Sequence, residues 1–353
     1  MTSELPDEAY ATALSQLPKM GPAKLRELLS QASPEAVWKG ITEPSSSARE
    51  EVAKLWWRYC DLGINVVLQS HPNYPKRLLG WPHAPAVLFC RGNSAVLNDR
   101  PTVAVVGTRS PTRYGIGVSA QLGAELSATG VSVISGLALG IDGAAHEGAC
   151  GAGAPPIAVL AGGVGEPYPV RHRRLWERVS ELGTVVSETP EGMKLEKWRF
   201  AVRNRLMAAL SDVVVVVESR HQGGSRHTVD AAMYLSKPVG AVPGSIRSLA
   251  SEGTNALMSE GAFPVCSVTD VLVALFREGA DVTLPKKRKS KGEPPKPKTA
   301  SEEALYDILT FDPVSLDELV RLTGVDFPAL CGDLERLAQA GLVQDLGGYW
   351  QRI

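Results

Sequence analysis

Two apolar runs, each ending at a glycine turn, constrain this chain most: Val103-Ala-Val-Val-Gly-Thr-Arg109 and Ser135-Gly-Leu-Ala-Leu-Gly-Ile-Asp142. Each opens into a helix-like segment. A turn of that kind aims backbone N–H groups and a helix N-terminus at an anion. Two such turns, about 30 residues apart, predict a phosphate-lined groove along one rim of a parallel sheet.

The surrounding pattern agrees. From residue 102 to about 278, apolar runs alternate with helical periodicity, with candidate strands at 102–106, 131–134, 156–161, 184–187, 213–217, 239–242 and 263–265. That spacing predicts successive βαβ units and an α/β fold built on a doubly wound parallel sheet. Val213-Val-Val-Val-Val217 is apolar on both faces, as a central strand should be. The Pro- and Gly-rich stretch 71–100 reads as an extended lead-in, with Ala86-Val-Leu-Phe-Cys90 as an edge strand.

The two ends differ from this core. The first 60 or so residues read as helical, with Leu17-Pro-Lys-Met-Gly-Pro-Ala-Lys-Leu25 between two apolar-periodic segments. Such a turn resembles a helix-hairpin-helix, whose free N–H groups bind a DNA phosphate without reading sequence; a plain tight turn in a small helical module is the simpler reading. Residues 281–300 are rich in Pro and Lys and read as a disordered basic linker. Beyond them, Ala304, Leu305, Ile308 and Leu309 form one helical face, and Ser315-Leu-Asp-Glu318 reads as a capping box. Asp326 is placed as the cap of a third helix, with Leu330, Leu334 and Leu337 inward and Gly341 as its stop. Residues 342–350 read as a two-stranded wing, which makes a winged-helix module.

Charge narrows the partners. The net charge is −1, but residues 281–300 hold 7 Lys and Arg against 2 acids, and residues 301–353 hold 3 against 10. Any basic surface must therefore be local. The acidic tail argues against duplex binding, since Asp333 and Glu335 on its third helix are expected to face phosphates. That points to protein docking or self-association for the module. Five scattered cysteines without a Cys-x-x-Cys, and histidines without ligand spacing, argue against a disulfide framework or metal site. With no export signal and no membrane-spanning run, the chain reads as cytoplasmic.

Candidate chemistry gathers in four places. The turn at Gly107 lacks the Gly-x-Gly-x-x-Gly spacing of dinucleotide-binding folds, so no nicotinamide or flavin cofactor is expected. Arg109, two residues on, suits a phosphodiester, since a guanidinium donates two parallel hydrogen bonds; pairing with a nearby carboxylate is the plainer reading. Lys194-Leu-Glu-Lys-Trp-Arg-Phe-Ala-Val-Arg-Asn-Arg205 holds five basic residues and one acid, interleaved with Trp198 and Phe200. Cations neutralise phosphates while aromatic rings stack on unpaired bases, a mixture suited to single strands. An amphipathic helix with a solvated basic face is the alternative. Arg171, Arg173 and Arg174 form a further basic patch. Gly223-Gly-Ser-Arg-His-Thr228 is a third anion turn, and Asp142 and His146, at i and i+4, are a conceivable acid–base pair.

Read in order, Gly107-Thr-Arg109, Ser135 to His146, Tyr168-Pro169, Ser187-Glu188, Phe200 to Arg205, Pro243-Gly244 and Gly253-Thr-Asn255 resemble the DNA-processing protein A family, DprA/Smf, across about residues 10–353. The resemblance implies a Rossmann-like domain (66–280), a small helical SAM or helix-hairpin-helix-like module (1–65) and a winged-helix module (301–353). It also implies a homodimeric, non-enzymatic protein without cofactor or metal. Such a protein binds and protects single-stranded DNA in natural transformation and loads the recombinase RecA. The DNA site would use Arg109, Lys197, Phe200, Arg203, Asn204 and Arg205, together with the turn residues Gly107, Ser135, Gly136, Gly224, Ser225 and Arg226. One departure stands out: the family's Ser-Gly-Ser-Leu-Ile-Thr is Gly223-Gly-Ser-Arg-His-Thr228 here. Two other readings share the fold. One is a nucleotide-sensing protein. The other is a lysine-decarboxylase-like nucleotide phosphoribohydrolase, whose Pro-Gly-Gly-x-Gly-Thr-x-x-Glu motif is incomplete in this chain.

Overall fold

Among the described residues nine strands form one sheet: β1 Ile64–Leu68, β2 Val87–Gly92, β3 Thr102–Val106, β4 Ser132–Ser135, β5 Ile157–Val159, β6 Thr184–Ser187, β7 Val213–Val216, β8 Val239–Ala241 and β9 Phe263–Pro264. The computed structural model describes residues 5–41, 46–221, 223–280, 296–345 and 347–352. Most of the predicted linker, 281–295, lies outside the described residues. The strand order is β1-β2-β6-β5-β4-β3-β7-β8-β9. From β6 to β9 every neighbouring pair is parallel, whereas β1–β2 and β2–β6 are antiparallel.

The topology fixes where a ligand can lie. After β3 the chain runs outward through β4, β5 and β6, then returns to β3's other side for β7, β8 and β9. The connections diverge at the C-terminal ends of β3 and β7, where a doubly wound sheet opens a crevice. Val213 to Val217 are all at most 1% exposed, as a central strand requires. Each buried valine contributes about 1.5–3 kcal/mol, an upper figure because unfolded chains already bury some surface.

The predicted edge strand is not at the edge. β2 pairs on both sides, with β1 covering its outer flank. β1 follows directly on a helical segment and gains its partner only through tertiary pairing, so local pattern does not reveal it. The N-terminal helices do not stand apart either. Ala11, Leu14, Leu25, Val37 and Tyr59 share one core with Phe89, Ala158 and Val185 of the sheet. The Gly-Pro turn is present: Gly21 precedes helix Pro22–Gln31, and Pro22 takes the first helical position, where no amide hydrogen is needed.

The chain divides into two units, 1–111 with 118–284, and 112–117 with 285–353. In the second, helices Ala300–Ile308, Leu316–Thr323 and Phe327–Gln339 pack around Leu305, Leu319, Leu330, Leu334 and Leu337. The expected two-stranded wing is present as β11 Val343–Asp345 and β12 Tyr349–Arg352, and among the described residues β10 Val314–Ser315 adds a third strand beside β12. Ser315 accepts from the Glu318 N–H at 3.2 Å, and Gly341 ends the third helix at φ 72°. Asp326 stands at the N-cap of the third helix, as expected, without a side-chain cap bond. Two expectations fail. Ala304 is exposed. Asp333 is buried against Arg336 and Ser301, so it turns inward and cannot face a phosphate. Among the described residues no helix is long and apolar enough to cross a membrane.

Candidate nucleic-acid interface

Three turns meet at the switch point and lock to one another. The Thr108 N–H donates to the Glu218 carbonyl at 2.8 Å, and the Ile141 N–H to the Thr108 carbonyl at 3.3 Å. Gly107 is required: a Cβ there would stand 2.7 Å from Ile141 Cγ1 and 2.8 Å from the Glu218 carbonyl oxygen. Gly140, at φ 87°, likewise approaches the Thr108 carbonyl too closely for a side chain. The Gly136 N–H donates to Asp142 Oδ2 at 3.1 Å. Thus the amides of Thr108, Gly136 and Ile141, expected to cradle an anion, are turned onto protein oxygens instead. Positive charge in the crevice comes from side chains.

Helix Lys197–Leu210 supplies two of them, Lys197 and Arg203, and Arg109 and Arg220 come from the turns. Lys197, Phe200, Arg203 and Asn204 recur at helical spacing and line one cavity of about 460 Å³ with Gly107, Arg109, Gly224 and Ser225. Lys197 and Arg109 are exposed, and Phe200 is half-buried. The Arg109 guanidinium carbon lies 4.9 Å from the Phe200 ring centroid, a cation–π contact. Arg220, His227 and Thr228 complete this lobe. Thr228 Oγ1 is buried with no protein hydrogen-bond partner among the described residues.

A second lobe of about 420 Å³ adjoins the first and shares Arg109, Ala138, Phe200 and Arg203 with it. Most of its other walls come from the loops after β5 and β6, including Tyr168, Met193 and Leu195, with Gly136 and Leu139 from the loop after β4. Sequence reasoning passed over Tyr168, Met193 and Leu195 as site candidates. The rule that ligands gather outside the carboxyl ends of parallel strands would have flagged both loops.

Arg203 is a brace. It is 6% exposed, and its Nη1 donates to the Gly136 carbonyl at 2.8 Å and the Val159 carbonyl at 3.1 Å. It thereby ties the ends of β4 and β5 to the helix. A Cβ on Gly136 would overlap this guanidinium. Burial raises the Asp142 carboxyl above its usual range, while Arg203 acts the other way; burial also lowers Arg203. Asn204 Nδ2 donates to the Gly224 carbonyl at 3.2 Å and pins the third turn.

Three expected site residues stand elsewhere. Ser135 is fully buried, and its Oγ donates to the Val105 carbonyl at 2.6 Å. Arg205 points away from the groove: it forks onto Glu188 at 2.7 and 2.9 Å and lies over Trp81. Arg226 binds Asp230 at 2.9 Å and Glu260 at 2.8 Å and lines neither lobe. Of the three residues that depart from the family pattern, Gly223 and His227 line the cavity and Arg226 does not. The Asp142–His146 pair finds no support as an acid–base couple. His146 is fully buried with Nε2 3.1 Å from the Ile157 carbonyl, and burial lowers its pKa to about 4.

Fold and crevice together define a Rossmann-like protein with a cationic, aromatic groove at the switch point and a winged-helix module. The family model of the DNA recombination-mediator protein A matches residues 65–276, and that of the DprA winged helix domain matches residues 289–348. The chain belongs to the DNA recombination-mediator protein A (DprA/Smf) family. It is 35% identical over 277 residues to the putative DNA processing protein DprA of Mycobacterium tuberculosis, spanning 76% of this chain and 69% of that one. It is also 35% identical to the DNA processing protein DprA of Bacillus subtilis, over 64% of this chain and 76% of that one. The X-ray structure of DNA processing protein A from Streptococcus pneumoniae superposes with a TM-score of 0.63 at 28% identity, covering 76% of this chain and 98% of that one. DNA processing protein A from Helicobacter pylori, solved for its single-stranded DNA binding mode, gives 0.55 at 28% identity over 61% and 96%.

Proposed function

We propose that this chain captures single-stranded DNA without regard to sequence, protects it and hands it to the RecA recombinase during natural transformation. It would act in the cytoplasm as a homodimer formed through the Rossmann-like domain. One observation carries the reading: Arg109, Lys197 and Phe200 converge on a single cavity at the switch point. Exposed cations there neutralise phosphates, and the ring offers a stacking face to an unpaired base. A family likeness to a protein solved for its single-stranded DNA binding mode supports the same ligand.

A binding role without catalysis fits the groove better than hydrolysis. The acid in the Gly223–Asp230 turn is Asp230, which pairs with Arg226 outside the cavity. No carboxylate from that turn therefore reaches a bound sugar. The winged-helix module is read as a protein-docking element, in keeping with its acidic charge. The test is equilibrium binding of fluorescent oligonucleotides to the full chain. Single strands of unrelated sequence should bind alike and more tightly than duplex. Tight binding of a mononucleotide without DNA binding would favour a sensor, and release of base from nucleoside monophosphates would favour an enzyme.

A further inference from the structure

The N-terminal helices reach the crevice through one residue. Glu191 lies in the loop that joins β6 to helix Lys197–Leu210. Its backbone faces the helical module. The Glu191 N–H donates to Tyr59 Oη at 2.7 Å, and Gln16 Nε2 donates to the Glu191 carbonyl at 3.2 Å and to Tyr59 Oη at 3.1 Å. Gln16 ends helix Asp7–Gln16 and Tyr59 lies in helix Ser46–Asp61, so two helices converge on this loop. The Glu191 side chain faces the loop after β5, where Oε2 accepts the Gly165 N–H at 2.7 Å. That loop is moulded around the carboxylate: a Cβ on Gly163 would stand 2.3 Å from Glu191 Oε2, and one on Gly165 would stand 2.8 Å from its Cδ.

The same two loops are tied again nearer the strands. Ser187 Oγ donates to the Leu160 carbonyl at 3.1 Å, and Thr189 Oγ1 to the Ala161 carbonyl at 3.0 Å. Thr189 Oγ1 also accepts Arg199 Nη1 at 3.2 Å, from the first turn of helix Lys197–Leu210. Hydrogen bonds therefore run from Tyr59 through both loops to the helix that carries Lys197 and Phe200. Both loops wall the crevice. Tyr59 is fully buried, with its ring centroid 5.6 Å from that of Phe89, and it lines neither lobe.

We infer that the N-terminal helical module is a buttress for strand binding and acts through Glu191. Tyr59 and Gln16 hold this positioning residue, and Glu191 holds the two crevice loops at the spacing a bound strand needs. The inference rests on the single-strand reading above. It gives the module a role that needs no DNA contact of its own. A loop already ordered in the free protein spares the complex the cost of ordering it, so a loosened brace weakens binding although no ligand contact is removed.

Three variants of the full chain test it. Tyr59→Phe removes the oxygen that Glu191 and Gln16 share and keeps the ring beside Phe89. Glu191→Gln keeps an oxygen for the Gly165 N–H, and Glu191→Leu does not. Without DNA, amide hydrogen exchange should quicken several-fold at Glu191 in Tyr59→Phe and at Gly165 in Glu191→Leu, while the amides of β3 and β7 keep their protection. Affinity for a thymidine homopolymer should fall about fivefold in Tyr59→Phe and about tenfold in Glu191→Leu, in keeping with the net worth of one hydrogen bond, and Glu191→Gln should restore it to within about twofold of the wild type. The salt dependence should not change, because no phosphate contact is lost. Wild-type affinity in Tyr59→Phe and Glu191→Leu overturns the inference. So does exchange that rises equally across the sheet, which makes the defect one of global stability. Tighter binding in both Glu191 variants also overturns it, since Glu191 would then be a charge that repels phosphate. A wild-type chain with no salt-dependent affinity for single strands would instead bring down the single-strand reading, and this role with it.

Discussion

Arg203 and Arg109 are both arginines of the groove, yet they do different work. Arg203 spends its donors on two backbone carbonyls inside the protein, whereas Arg109 is exposed above Phe200. Arg203→Met should therefore act mainly on stability. It leaves the Gly136 and Val159 carbonyls without their donor and Asp142 without its nearby cation, a loss of about 3 kcal/mol. Urea unfolding checks this; an unchanged midpoint contradicts the brace. His146 makes a second prediction. Its folded pKa, about 4, lies below its ordinary value of 6.5, so the unfolded chain binds the proton first. The stability gained from burying the neutral ring is whole above pH 6.5 and is lost as pH falls towards 4, by about 3 kcal/mol at most. Asp142, raised by burial, acts in the opposite sense. Comparing wild type with His146→Gln cancels it. Urea midpoints should fall more steeply with acid in the wild type than in the variant.

At the scale of elements, helix Lys197–Leu210 carries the site. Phe200→Ala should weaken single-strand binding about tenfold with little change in salt dependence, because stacking moves few counterions. A fluorescence titration at two salt concentrations separates this from a charge effect. The helix also shows what the sequence could and could not disclose. β3 and β7 were legible because both faces are apolar, and the glycine turns after them because β-branched runs stop there. Arg203 and Arg205 could not both enter one groove, since two positions along a helix turn the side chain by about 200°. That much was readable; which of them turned in was not. Arg205's partners, Glu188 and the His83 carbonyl, come from other segments. Ser135 is placed in the same way, since its acceptor, the Val105 carbonyl, comes from another strand; Arg226 has one partner set by packing, Glu260, and one readable at i+4, Asp230. The pocket loops after β5 and β6 carry no charge pattern of the kind that marks helix Lys197–Leu210.

Across the whole molecule, a near-neutral chain gathers Arg109, Lys197, Arg203 and Arg220 around one crevice and concentrates its acidity in the winged-helix unit. We propose that this unit docks protein rather than duplex. Glu335 is exposed on its third helix, whose start presents Phe327, 53% exposed, preceded by an exposed Leu322. Removing residues after 280 should leave both single-strand and duplex affinity unchanged within about twofold; a marked loss of duplex binding would return the module to DNA. The central claim is that Arg109 and Lys197 grip phosphates, and the slope of log affinity against log salt measures it most directly. For a single strand each neutralised phosphate adds about 0.7 to that slope. Arg109→Ala and Lys197→Ala should each make it shallower by about one contact's worth, for every sequence alike. Unchanged slopes in both variants would contradict the account.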